Sequence, residues 1–137
     1  MLYEDQVVDA VVNHLRNCGW AIESVALAVQ TGDDIAASRN GVRLLVEAKG
    51  EGSSKAHTAR YGQPFNRGQV ATHVAVAVLR ALRVSSAGHN KAALAFPAES
   101  HHQREVSLVW PALSREGIEV FWVTEDGRVQ VQSESEK

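Results

Sequence analysis

The sequence predicts an α/β domain in which a mixed β-sheet is flanked by helices, with the elements in the order αβββαβαββ. Three observations predict it. Apolar residues near the N-terminus recur at the 3.6-residue period of a helix, short apolar runs read as strands, and Gly-Asp, Asn-Gly and Glu-Asp-Gly turns separate them. With 137 residues, 45% of them hydrophobic, there is material for one core and not the length for two. Residues 1–132 are therefore expected to form a single domain and 133–137 a disordered tail.

Residues 3–17 carry Tyr3, Val7, Val8, Val11 and Leu15 on one helical stripe, and Gly19 is a suitable stop. Residues 20–29 read as a strand and Thr31-Gly32-Asp33 as a turn. Residues 34–38 and 42–49 read as two strands joined by Asn40-Gly41, the strongest two-residue hairpin signal, because a type I′ turn needs positive φ at both positions. Residues 50–65, rich in Gly, Ser, His and Pro, read as a long loop. Asn66, with Gln69 three residues on, has the form of a helix cap. The helix expected over 67–83 is apolar on most faces and is expected to be mostly buried. Residues 84–91 read as loop and 92–96 as a strand ended by Pro97. Ser100 with Gln103 reads as a second capping box, opening a helix that Pro111 should kink or divide and Gly117 should end. Residues 119–124 and 128–132 read as strands around Glu125-Asp126-Gly127. The strands on either side of the 100–117 helix should be parallel.

No apolar run reaches the ~18 residues of a membrane span, and Met1-Leu2-Tyr3-Glu4-Asp5 lacks the pattern of a signal peptide. A cytoplasmic location and no membrane partner are the expectation. The lone Cys18 can form no internal disulfide and reads as a small packed residue. His101-His102 reads as helix surface, and Trp110 and Trp122 as core. Net charge is −2, but it is unevenly spread: residues 1–42 carry −4, residues 43–91 carry +6 and residues 92–137 carry −4. A basic middle third suits a surface that follows phosphates, and equally a run of solvated charge.

The hairpin makes a geometric prediction. With Asn40-Gly41 as its turn, opposed positions sum to 81, so Asp34 faces Glu47, with Cβ atoms roughly 4.5–5.5 Å apart. Lys49, two residues beyond Glu47, points the same way. Two opposed carboxylates repel each other unless a hard divalent cation lies between them, and such a cation acidifies bound water and stabilises charge on an attacked phosphate.

Gly32-Asp33-Asp34-Ile35, eleven further residues and Glu47-Ala48-Lys49-Gly50 resemble the signature of the PD-(D/E)xK nuclease superfamily, which includes Mrr-type endonucleases and Holliday-junction resolvases. The family's proline before the aspartate is replaced here by Asp33, which leaves open whether Asp33 or Asp34 is the ligand; the hairpin register favours Asp34. The resemblance covers most of the chain. It implies a restriction-endonuclease-like core, a Mg²⁺ cofactor replaceable by Mn²⁺, and hydrolysis of nucleic-acid phosphodiester bonds, with DNA the expected substrate. It also implies roles. Asp34 and Glu47 match the acidic ligands, Ala48 the residue whose carbonyl binds metal, and Lys49 the lysine that activates water. Glu4 matches a glutamate on the first helix, and Gln69 a glutamine early in the helix after the lysine strand. Glu4 reads equally as an acid favoured in a helix's first turn, and Gln69 as the partner of the Asn66 cap. His73 and Arg80 follow Gln69 at helical spacing. With Lys55, His57, Arg60, Tyr61 and Arg67 in or beside the long loop, they are candidates for contacting nucleic acid or for a polar, solvated surface. Small stand-alone members commonly dimerise, which implies a homodimer. The alternative is a catalytically inactive module of the same fold that binds nucleic acid or protein.

Overall fold

The structure, a computed structural model, describes residues 1–26, 33–52 and 62–134. Nine elements follow one another: α1 (Glu4–Asn17), β1 (Ala21–Val25), β2 (Ile35–Arg39), β3 (Val42–Ala48), α2 (Arg67–Ala87), β4 (Lys91–Pro97), α3 (Ser100–Arg115), β5 (Glu119–Val123) and β6 (Val129–Gln132). The six strands form one mixed sheet in the order β1-β2-β3-β4-β5-β6. The β3–β4 and β4–β5 pairs are parallel and the other pairs antiparallel.

Strand alternation divides the core into two layers. On one face α1 sets Val7, Val8, Val11, Val12 and Leu15 against Ile35, Ala37, Leu44, Val46 and Phe121. On the other, Val70, Val74, Ala77 and Ala81 of α2 and Val106 and Leu113 of α3 cover Leu94, Phe96, Val120 and Trp122. Trp122 is buried and Trp110 packs against this second layer, as expected.

The β2–β3 register follows the hairpin arithmetic: Ile35 pairs with Val46, Ala36 with Leu45 and Ser38 with Arg43. Asn40 and Gly41 have φ of 51° and 81°, the positive values a type I′ turn requires. The end of α1, the starts of β3, α2 and β5 and the end of β6 fall where expected, and the other boundaries move by a residue or more. β2 begins at Ile35 rather than Asp34, because the Asp34 carboxylate, not its backbone, continues towards β3. α2 runs four residues past its expected end, to a left-handed Gly88 cap.

Several expectations are corrected. Helix α2 is not mostly buried: Val70, Val74, Ala77 and Ala81 are, while Val76 and Leu79 are exposed. Among the described residues it is the one helix long and apolar enough to cross a membrane, although no such run was expected; here it packs on β3, β4 and α3. Pro111 does not divide α3. Both Pro111 and Ser107, whose carbonyl loses its helical partner, are exposed, so water can satisfy that oxygen. The cap of α3 is Glu99 rather than Ser100: its carboxylate accepts the amides of His101 (3.2 Å) and His102 (2.5 Å). Cys18 is exposed rather than packed, with Sγ 3.7 Å from His14 Nε2.

The N-terminus is threaded past the end of β3. Leu2 N–H donates to Glu51 Oε1 (2.7 Å), and Glu51 N–H donates back to the Leu2 carbonyl (2.8 Å). Gly50 lies at the crossing: a Cβ there would stand 2.3 Å from Glu4 N. Gly50→Ala should therefore destabilise the fold by about 1–3 kcal/mol through overpacking. Gly68→Ala in α2, where the nearest atom would be 3.5 Å away, should be neutral or stabilising by up to ~1 kcal/mol. Urea denaturation of the two variants checks the contrast; equal effects would mean that the crossing at Gly50 is not tight.

Candidate active site

Glu47 is the buried carboxylate of the sheet, 3% exposed. Its neighbours Val46 and Ala48 belong to the α1 layer, so Glu47 faces the α2 layer, paired in register with Leu94 of β4. Lys49 follows at the strand end, its amide donating to the Ala95 carbonyl at 3.0 Å and its charge acting on Asp34, Glu4 and His73. Asp34 reaches the same strand end from β2: its Oδ2 accepts the Ala48 amide at 2.7 Å. That bond completes a backbone donor which β2 no longer meets, and it fixes the carboxylate beside Glu47. Glu4 arrives from the other face of the sheet on the first turn of α1, brought round the strand end by the close crossing at Gly50.

The electrostatics bring these groups together. The Glu47 carboxyl is pushed up to about 7, by burial first and then by the charge of Asp34, with Arg80 opposing. Glu4 is also raised to about 7, by burial and by Asp34, against the pull of Lys49. Asp34 is raised by burial, while the Ala48 amide, Lys49 and Arg80 hold it down. Three carboxylates thus feel one another, and two cations moderate them. Among the described residues Arg80 makes the one direct ion pair to Glu47, Nη1 to Oε2 at 3.4 Å.

The donor chemistry suits a hard divalent cation, because carboxylate oxygens with raised pKa values gain most from added positive charge. Among the described residues, however, no three His, Cys, Asp or Glu side chains stand close enough together to hold a metal ion. Asp34 and Glu47 with the Ala48 carbonyl are the donors at the strand end, and Glu4 would have to close in on them.

The remaining expected residues separate. Gln69 is absorbed by its cap: its Oε1 accepts the Asn66 amide (2.9 Å) and its own amide donates to Asn66 Oδ1 (2.9 Å). Arg67 is exposed at the start of α2. His73 lies edge-on to Phe65, with ring centroids 4.5 Å apart, and its pKa is lowered by burial and then by the charges of Lys49 and His102. It therefore borders the site. Lys55, His57, Arg60 and Tyr61 lie outside the described residues. The residues flanking that segment are held together by a Gly52–Pro64 bridge and by Phe65 N–H donating to the Glu51 carbonyl at 2.7 Å.

The sequence reading missed two features. Arg80 was weighed for nucleic acid and not for Glu47. His102, expected at the surface, is fully buried, its Nδ1 hydrogen-bonded to Glu99 and its Nε2 without a partner among the described residues. Burial lowers its pKa against the opposing pull of Glu99, which keeps the ring neutral. The signal available was Glu99 itself, a carboxylate one helical turn before His102.

The raised carboxyls set a sign for pH dependence. A carboxyl whose folded pKa lies above its unfolded value binds more protons folded than unfolded between the two, so stability is lost as pH rises from about 4.5 to about 7. His14, His73 and His102, all lowered, act oppositely: stability is gained as pH rises towards 6.5. The difference between wild type and Glu47→Gln isolates the carboxylate. From pH 5 to pH 8 the wild-type Tm should fall relative to the variant's by roughly 5 °C; parallel curves in differential scanning calorimetry would remove the raised Glu47.

No family model matches the chain, and neither a curated protein nor a solved structure is significantly similar to it.

Proposed function

We propose that the chain is a divalent-metal-dependent nuclease of the PD-(D/E)xK type, acting on phosphodiester bonds of nucleic acid, with DNA the favoured substrate. The observation that carries this reading is the Asp34 carboxylate held on the Ala48 amide beside Glu47, with the charge of Lys49 acting on Asp34, just beyond a hairpin whose paired residues sum to 81. The location agrees: ligands of open α/β sheets bind beyond the carboxyl ends of parallel strands, and this cluster caps β3 beside β4.

Bound there, Mg²⁺ or Mn²⁺ would acidify a water and stabilise charge on the phosphate. Asp34 and Glu47 would hold the cation, with the Ala48 carbonyl and Glu4 completing its protein donors. The Asp34–Ala48 bond keeps one ligand oriented before any cation arrives. Lys49, whose charge acts on Asp34, would bring a donor to the attacking water or the phosphate oxygen. His73, beside Lys49, and Arg67 extend the surface along α2, and Lys55, Arg60 and Tyr61 belong to the segment that leaves the strand end. A homodimer is part of the proposal, and exposed Leu79 of α2 and Val109 of α3, which line one shallow groove, offer it apolar surface.

Two observations favour the second reading, an inactive module of the same fold that binds nucleic acid or protein. Glu47 already has a cationic partner in Arg80, and no three donors stand at metal-holding distance among the described residues. A fold does not by itself supply its chemistry.

Two measurements decide. Millimolar Mn²⁺ should raise the Tm of wild type by several degrees and leave Asp34→Ala unmoved. A panel of plasmid, single strand, flap, four-way junction and RNA should be cut by wild type with Mn²⁺, with a loss of 10²-fold or more in Lys49→Ala. No shift and no cleavage would leave the inactive module.

A further inference from the structure

Arg80 stands 3.4 Å from Glu47, the one buried carboxylate among the described residues, yet its own side chain is 52% exposed against 4% for Glu47. An unpartnered buried carboxylate is costly, so the guanidinium has a structural task. It performs that task loosely. The contact is single and long, where a committed arginine–carboxylate pair is bidentate at about 2.7–2.9 Å. The same guanidinium also acts on Asp34, while Lys49 acts on Asp34 and Glu4. Two monovalent cations thus share the field of three carboxylates, and Arg80, half in water and held by one long contact, is poised to be displaced.

We propose that Arg80 is a stand-in cation: it partners Glu47 until a divalent ion takes the carboxylate, and the released guanidinium then binds a phosphate of the nucleic acid. This rests on the nuclease reading and deepens it by assigning the site a substrate-binding residue that metal occupancy controls. A dication attracts the carboxylate about twice as strongly as a guanidinium at the same distance. The displaced group stays within reach, because α2 packs on β3 and β4 and the flexible side chain moves while its helix does not. Guanidinium is suited to what comes next, since its planar fork pairs with phosphate oxygens as it does with a carboxylate. Substrate binding and metal binding become coupled without any backbone movement.

The coupling gives the test. Mn²⁺ affinity is measured by calorimetry on wild type, Arg80→Ala and Arg80→Lys, with circular dichroism checking that each is folded. Arg80→Ala should bind Mn²⁺ on the order of tenfold more tightly, and Arg80→Lys should stay near wild type. Binding of a labelled DNA duplex and a labelled single strand is then followed by anisotropy, with Ca²⁺ in place of Mg²⁺ and again in EDTA. With Ca²⁺, Arg80→Ala should bind more weakly than wild type and its salt dependence should drop by about one phosphate contact. In EDTA the two should bind alike. Equal Mn²⁺ affinities, or a DNA defect of the same size with and without Ca²⁺, would overturn the stand-in role and leave the nuclease reading untouched. If neither wild type nor Arg80→Ala binds Mn²⁺, the nuclease reading falls and this inference falls with it.

Discussion

The bond from the Ala48 amide to the Asp34 carboxylate holds fold and site in one interaction. Ala48 is fully buried at the end of β3, and a buried amide left without an acceptor costs about 1–3 kcal/mol. The β2 backbone no longer meets β3 beyond Ile35, so the acceptor must be a side chain. Asp34 supplies it, and its carboxylate is thereby fixed beside Glu47. The charge on Asp34 then becomes a principal reason why both Glu4 and Glu47 hold their protons up to about neutral pH. A single hydrogen bond makes the hairpin continuous and the acidic cluster unavoidable.

Such a cluster works against stability, and the surroundings only moderate the cost. Burial raises all three carboxyls, and Lys49 and Arg80 return part of what burial takes. An apolar residue in place of Glu47 would sit on the α2 layer as comfortably as Leu94 does beside it. Local rules of burial are broken at this strand end and kept along the rest of β3, where Leu44, Leu45 and Val46 are all buried. Breaches of that kind mark places where a chain carries chemistry at the expense of packing.

What the sequence made legible follows from how local each signal is. The β2–β3 register was readable because two adjacent residues determine it: Asn40 and Gly41 tolerate positive φ, and every pair up the ribbon then follows. The Asn66–Gln69 cap was readable for the same reason, its two bonds spanning three residues. The burial of α2 was misjudged because apolar composition does not say how many layers cover a helix; Val76 and Leu79 lie on its outer side. His102 was misjudged because its depth depends on how α3 enters the core from Glu99 towards Phe96, a tertiary matter invisible in a His-His dipeptide. The Arg80–Glu47 pair joins residues 33 apart and belongs to helix-on-sheet packing, which periodicity does not encode.

Glu4 shows how such distant placements are made reliable. Helix α1 covers the face of the sheet opposite to Glu47, so its carboxylate cannot meet the others through the sheet; it must come round the edge. The reciprocal Leu2–Glu51 backbone and side-chain bonds fix the height of the chain there. The missing side chain at Gly50 lets the first turn of α1 come close enough for its carboxylate to feel both Asp34 and Lys49. A residue without a side chain, forty-six positions after Glu4, therefore controls how near the third carboxylate stands. The third carboxylate is thus placed by the packing of α1 and the N-terminal bonds, whereas Asp34 is placed by its own bond to the strand it faces.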